Sequence, residues 1–253
     1  MKKMLRNLVI AMAILPMCVM LTACGGGDNN KKGGDDVDFL SLDMFHNQAK
    51  SALLAHGADM TNRTSASMND YDTTYGGVNF AFSVMNQANA QSEPTICKFV
   101  GKSVYITSYY DYDGDKGIEE HLALWNKTES EVEFWASLYE NDFEWTQEEY
   151  DDFSLPQGVY WLYALTFGDL YKVAETTSEH IKYEPKSKAT YDAMLEEYFG
   201  AGMSGFFLAN SSVVKIDKSG VMTWDVDINQ NGNADHLTFK VTLGGQVLPD
   251  IFA

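Results

Sequence analysis

Two short acidic runs carry the side chains best placed to do chemistry. The first is Asp111-Tyr-Asp-Gly-Asp115 and the second is Asp227-Ile-Asn-Gln-Asn231. Each sets oxygen donors on alternate residues, follows them with a glycine, and has an acid three residues after that glycine (Glu120 after Gly117, Asp235 after Gly232). A calcium ion takes about six to eight oxygens at about 2.3–2.6 Å, and alternate side chains on a tight turn converge on one point. Glycine permits the sharp reversal. In the second run Asp227, Asn229, Asn231 and Asp235 occupy the first, third, fifth and ninth positions of such a loop, with Gly232 sixth. In the first, Asp111, Asp113 and Asp115 match, and Glu120 takes the last role if Lys116 is looped out.

These runs resemble the DxDxDG-type calcium loops of exported bacterial proteins, and the resemblance implies Ca²⁺ as the ligand. It covers about ten residues per loop and not the fold around them. The twelfth position, a bidentate Glu in EF-hands, is Thr238 in the second run and Leu122 or Ala123 in the first. The flanks read as strands. Binding is therefore expected to be weak, about 10⁻⁴–10⁻³ M. The competing reading is an ordinary hairpin, because Asn231-Gly232 alone is a strong two-residue turn signal. His121 and His236 stand beside the acidic ends, but no Cys/His cluster accompanies them, and they read as strand residues rather than zinc ligands.

Other candidate chemistry is thinner. Gly200-Ala-Gly-Met-Ser-Gly205 matches G-x-G-x-x-G but follows a helix and precedes a strand, the reverse of the dinucleotide context. Trp125, Phe134-Trp135, Trp145 and Tyr160-Trp161-Tyr163 are interleaved with acids. At strand spacing they read first as core, and second as a glycan platform. Paired acids such as Glu148/Glu149 would do glycosidic chemistry only across a cleft of about 5–10 Å.

The N-terminus carries an address. Lys2, Lys3 and Arg6 precede an apolar run from Leu8 to Leu21, broken by Pro16, as in a secretory signal. It ends in Leu21-Thr-Ala-Cys24, which resembles the lipobox of bacterial lipoproteins. That resemblance implies cleavage before Cys24 (residues 1–23 removed), a diacylglycerol on its thiol and acylation of its amine, palmitate being typical of such chains. Several acyl chains anchor durably where one does not. Residues 25–38 (GGGDNNKKGGDDVD) then read as a flexible tether, so that 24–38 form anchor and linker and 39–253 the folded domain. Gly25, where Asp commonly signals inner-membrane retention, implies the outer membrane, facing either the periplasm or the surface.

Composition bounds the partners. Removing Lys2, Lys3 and Arg6 from 18 basic residues leaves 15 against 36 acidic ones, a net charge of −21. A nucleic-acid surface and an anionic-lipid surface both need Lys/Arg to neutralise phosphates, and both are disfavoured. Cys18 leaves with the signal and Cys24 is lipidated, so Cys97 has no partner for an internal disulfide. Between Ile96 and Phe99 it reads as a buried strand thiol.

The elements predict an α+β class: an antiparallel β-rich domain with two or three helices. Helices are expected over 43–57, with Asp43 as cap, over 147–153 from a Thr146/Glu149 capping box, and over 190–199, closed by Gly200. Strands are expected at 78–84, 95–100, 103–110, 120–126, 131–139, across 159–173 with a break at Gly168-Asp169, and at 205–209, 212–217, 221–228 and 235–243. Segments 43–126 and 190–243 share a sequence order, with Glu120-His-Leu opposite Asp235-His-Leu once Lys116 is counted as an insertion. Two readings stay open: a duplicated helix-plus-meander unit, or two acidic hairpins alike by chance.

The expected function is a non-enzymatic, lipid-anchored envelope lipoprotein that binds an envelope protein or glycan, with weak Ca²⁺ loops. The alternative is a lipid-anchored hydrolase acting on polysaccharide or peptide.

Overall fold

The computed structural model describes residues 39–56, 78–86, 93–112, 115–126, 131–137, 145–148, 155–200, 202–230 and 232–251. The signal, lipobox and tether, with the stretches at 58–77 and 149–153, lie outside them. The described chain forms an 11-stranded antiparallel sheet with helices against one face. In chain order the elements are α1 (Leu42–Ala55), β1 (Asn79–Asn86), β2 (Thr95–Val100), β3 (Ser103–Tyr112), β4 (Asp115–Asn126), β5 (Glu131–Ser137), β6 (Trp145–Glu148), α2 (Gln157–Leu165), β7 (Tyr171–Thr176), β8 (His180–Pro185), α3 (Lys188–Phe199), β9 (Val213–Asp217), β10 (Val221–Gln230) and β11 (Asn233–Leu243). The sheet order is β6-β5-β4-β3-β2-β1-β11-β10-β9-β8-β7. Pairing of β1 with β11 therefore joins the two halves of the chain into a single sheet.

Period 2 explains the strands. Phe80 and Phe82 on β1, Cys97 and Phe99 on β2, Val214 and Ile216 on β9, Trp224, Val226 and Ile228 on β10, and Phe239 and Val241 on β11 are all buried on one face. The helices cover that face. Leu42, Phe45, Ala49, Ala52 and Leu53 form the apolar stripe of α1. The Gln48 carboxamide oxygen accepts from the Asn79 amide at 3.3 Å and pins this helix to β1. Trp161 of α2 meets Phe207 and Phe239 edge-on, at 5.3 and 5.9 Å between centroids. Burial of each large side chain contributes about 2–3 kcal/mol.

The α+β, β-rich expectation holds, with local corrections. Ser41, not Asp43, is the N-cap of α1, and Asp43 lies in its first turn. Thr146 does not open a helix: it sits in the edge strand β6, its hydroxyl donating to the Ala136 carbonyl at 3.2 Å. Residues 157–165 are helix, not strand. Gly158, Val159, Leu162, Ala164 and Leu165 are buried, so α2 is apolar on most sides and shows no period-2 signature. Pro156 is the N-cap of this helix, and Gly158 is its second residue. A Cβ on Gly158 would lie 2.5 Å from Phe82 Cε2, so close approach to β1 requires glycine there. Strand β8 was not expected, and Phe207 forms an isolated bridge to Ile228 in place of a strand at 205–209. Helix α3 ends as expected at Gly200, with φ +100°.

Candidate functional site

The turns set where the acidic residues stand. In β10–β11, Gln230 pairs with Asn233, so the strands reverse across Asn231-Gly232. Gly232 has φ +90°, and its amide donates to Asn229 Oδ1 at 2.8 Å. The Asn229 side chain is thus engaged in closing the turn; Asn231 lies outside the described residues.

This register places Asp227 opposite His236, and Ile228 opposite Asp235. Directly opposed residues share a face and neighbours along a strand alternate. Asp227 therefore stands on the helix-free face, and Asp235 on the side of buried Ile228 and Leu237. The two ends of the expected second loop do not converge. Asp235 Oδ1 instead accepts from the His236 amide at 2.7 Å.

A different cluster occupies the helix-free face. His236 Nδ1 donates to Asp227 Oδ1 at 2.7 Å, and its Nε2 lies 3.7 Å from Asp225 Oδ1. The Thr238 hydroxyl donates to that same Asp225 oxygen at 2.7 Å. His236 thus stands between two strand carboxylates, donating to Asp227 while Thr238 donates to Asp225. The signal for this network was in the sequence. A two-residue turn at Asn231-Gly232 fixes the pairs 227–236 and 225–238 by counting outward.

The first loop obeys the same logic. Tyr112 pairs with Asp115 and Asp111 with Lys116, leaving two positions, 113–114, between the strands. Lys116 occupies a regular rung and is not looped out. Glu120 lies opposite Thr107, five rungs from the turn, roughly 17 Å away along the strand. Its carboxylate accepts from the Tyr105 hydroxyl. Burial, and then this hydrogen bond, push the Tyr105 phenol above its ordinary range. Glu120 therefore does not close the first loop. Asp113 and the side chains of Asp111 and Asp115 lie outside the described residues.

The register also revises the proposed internal equivalence. Matching turn to turn sets positions 113–114 against 231–232. His121 then no longer matches His236: it pairs with Ala136 on the helix-covered face and stacks on Phe134 at 5.9 Å. His236 lies on the opposite face.

Both acidic loops nevertheless project from the same end of the sheet. β3 and β10 run the same way, from the Gly101 and Gly220 turns toward Tyr112 and Gln230. Three strands lie between them, so their tips are separated by four strand spacings, roughly 19 Å. Among the described residues, no three His, Cys, Asp or Glu side chains gather as a metal ion would require.

The expected aromatic residues split between roles. Trp161 is a core contact of α2. Trp125 lies under the Lys102 ammonium, 3.8 Å from the ring centre. Cys97 is fully buried and its thiol is pushed up by desolvation, so it is inert.

A second polar centre was not foreseen. Ser212 Oγ is buried and accepts from Trp224 Nε1 at 3.0 Å and from the Tyr191 hydroxyl at 3.1 Å, with the Tyr171 hydroxyl at 3.4 Å. It joins α3 and β7 to β10. Neither protein-family models nor curated proteins match the chain.

Proposed function

We propose that this chain is a lipid-anchored lipoprotein of the bacterial cell envelope. Its domain acts as a non-enzymatic binding module for an envelope protein or glycan. The reading is carried by the basic, apolar and Leu21-Thr-Ala-Cys24 order, followed directly by a polar linker and a domain whose first helix begins at Leu42. No helix among the described residues is long and apolar enough to cross a membrane.

The polar clusters among the described residues are closed by the fold's own hydrogen bonds. The Asp225–His236–Asp227 cluster is satisfied by hydrogen bonds within one open sheet face, and Glu120 is held by Tyr105. Neither arrangement sets two acids across a cleft. Weak Ca²⁺ binding is retained in this proposal for the 111–115 loop, where three carboxylates within five residues repel without a cation.

Cys24→Ala tests the anchor. The variant should lose signal processing and shift from the membrane to the soluble fraction or accumulate as precursor; unchanged processing and fractionation would overturn the reading.

A further inference from the structure

The helix-free face carries a rung of cations in an otherwise acidic chain. Lys182 pairs with Lys215, Lys215 with Thr223, Thr223 with Lys240, and Lys240 with Ser83, each across adjacent strands. Directly opposed like charges destabilise a sheet. Lys182 is relieved by Glu184 at 2.8 Å. Lys215 and Lys240 are exposed and have no acidic partner among the described residues. Nearby acids are engaged elsewhere. Glu179 holds Lys218 at 2.5 Å. Asp217 accepts from the Ser219 hydroxyl and from the amides of Ser219 and Val221. Burial alone would raise its pKa, but these donors hold the Asp217 carboxyl below its ordinary value.

The rung lies toward the end of the sheet where the chain enters. Leu40 packs beside Gly220, where a Cβ would come within 3.1 Å of Leu40 Cδ1. Gly220 ends the β9–β10 turn, three positions from the rung of Lys215 and Lys240. The turn, with Lys218 and Ser219, borders a shallow depression also lined by His180, Lys215 and Thr223, and by the already engaged Glu179 and Asp217. Asp225, Asp227 and both acidic loops lie progressively farther along the strands. Along the strand axis the lysines without an acidic partner thus stand near the N-terminal entry, where Glu179 and Asp217 are already engaged, and Asp225, Asp227 and the acidic loops lie away from it.

We propose that the face around Lys215 and Lys240 docks on phosphate headgroups of the bilayer that holds the anchor. The inference rests on the lipoprotein reading above. Only residues 25–38 separate Cys24 from the first described residue, so the entry end of the domain cannot lie farther than roughly 50 Å from the anchor, the limit of a fully extended chain. The net charge of −21 on the processed chain, 15 basic against 36 acidic residues, opposes free association, so the acyl chains supply affinity and the lysine rung supplies orientation.

The test is lysine acylation footprinting of the full-length lipidated protein, read by mass spectrometry. Vesicles of phosphatidylglycerol and phosphatidylcholine are compared with a non-ionic detergent micelle. Lys215 and Lys240 should label at least about threefold more slowly on the anionic vesicles, with protection lost near roughly 0.5 M salt. Lys188, on α3, should be unchanged. Co-flotation with the vesicles but equal labelling of Lys215 and Lys240 in both settings overturns this inference alone. Failure to co-float overturns the anchored reading and this inference with it. In a Lys215→Ala/Lys240→Ala variant, co-flotation should persist while salt-sensitive protection of Lys182 disappears; its persistence would also overturn the proposal.

Discussion

Ser212 Oγ lies 3.0 Å from Trp224 Nε1, and both residues are buried between the helices and the sheet. An indole at the centre of an apolar layer needs an acceptor, and this hydroxyl also serves Tyr191. Ser212→Ala should therefore cost roughly 2–4 kcal/mol, because it leaves buried donors unpaired. Urea unfolding measures it. In a Trp224→Phe background the same substitution should cost clearly less; strict additivity would show that the bond carries no stability.

Stability should fall with acid through two histidines of α1. His46 is pushed down to about 4 chiefly by burial, against the Tyr163 carbonyl that accepts from its Nδ1 at 2.8 Å. His56, edge-on to Phe99, is likewise pushed down to about 4 by burial. Both are neutral when folded and protonate more readily when unfolded. Their contribution is complete above pH 6.5 and is lost as pH falls toward 4, by roughly 3 kcal/mol each. Denaturation midpoints of the wild type and of His46→Asn/His56→Leu, taken from pH 7 to pH 4, should diverge in slope. Parallel curves would contradict the assignment.

Gly158→Ala should destabilise by roughly 1–3 kcal/mol, because the new methyl meets the buried Phe82 ring at 2.5 Å. Phe82→Leu in the same chain should recover part of the loss. An unchanged melting temperature for the single variant would refute the close α2–β1 approach.

Calcium should act through the β3–β4 loop. Several millimolar Ca²⁺ is expected to raise the melting temperature, reversibly by chelator. Asp113→Asn should abolish that rise and Asp235→Asn should not, since Asp235 lies on the other face from Asp227. Loss of the response in Asp235→Asn would restore the second loop as a site.

Much of the sheet was legible where one face is buried and the other open, which writes period 2 into Val78–Val84, Cys97–Phe99 and Val221–Ile228; on β3 and β4 both faces are buried, as Val104 with Tyr105 and Leu122 with Ala123 show. α2 was misread for the opposite reason: Val159, Leu162, Ala164 and Leu165 are enclosed, so no polar face marks the helical turn. β8 was missed because all six of its residues are half-buried and its composition, His-Ile-Lys-Tyr-Glu-Pro, gives no clean alternation. The candidate site shows a different lesson. Residue types at alternate positions pointed to a cation, but the Asn-Gly turn fixed a register that separates Asp227 from Asp235. Period 3.6 or 2 places side chains on faces; only the turn decides which residues meet.

Lipidation of Cys24 decides whether the chain is anchored. Mass spectrometry of the N-terminal peptide, taken from protein purified from membranes, measures it directly. The predicted peptide begins at Cys24 and carries the mass of a diacylglycerol with amide-linked acyl. A peptide that retains residues 1–23, or that begins at an unmodified residue, would contradict it.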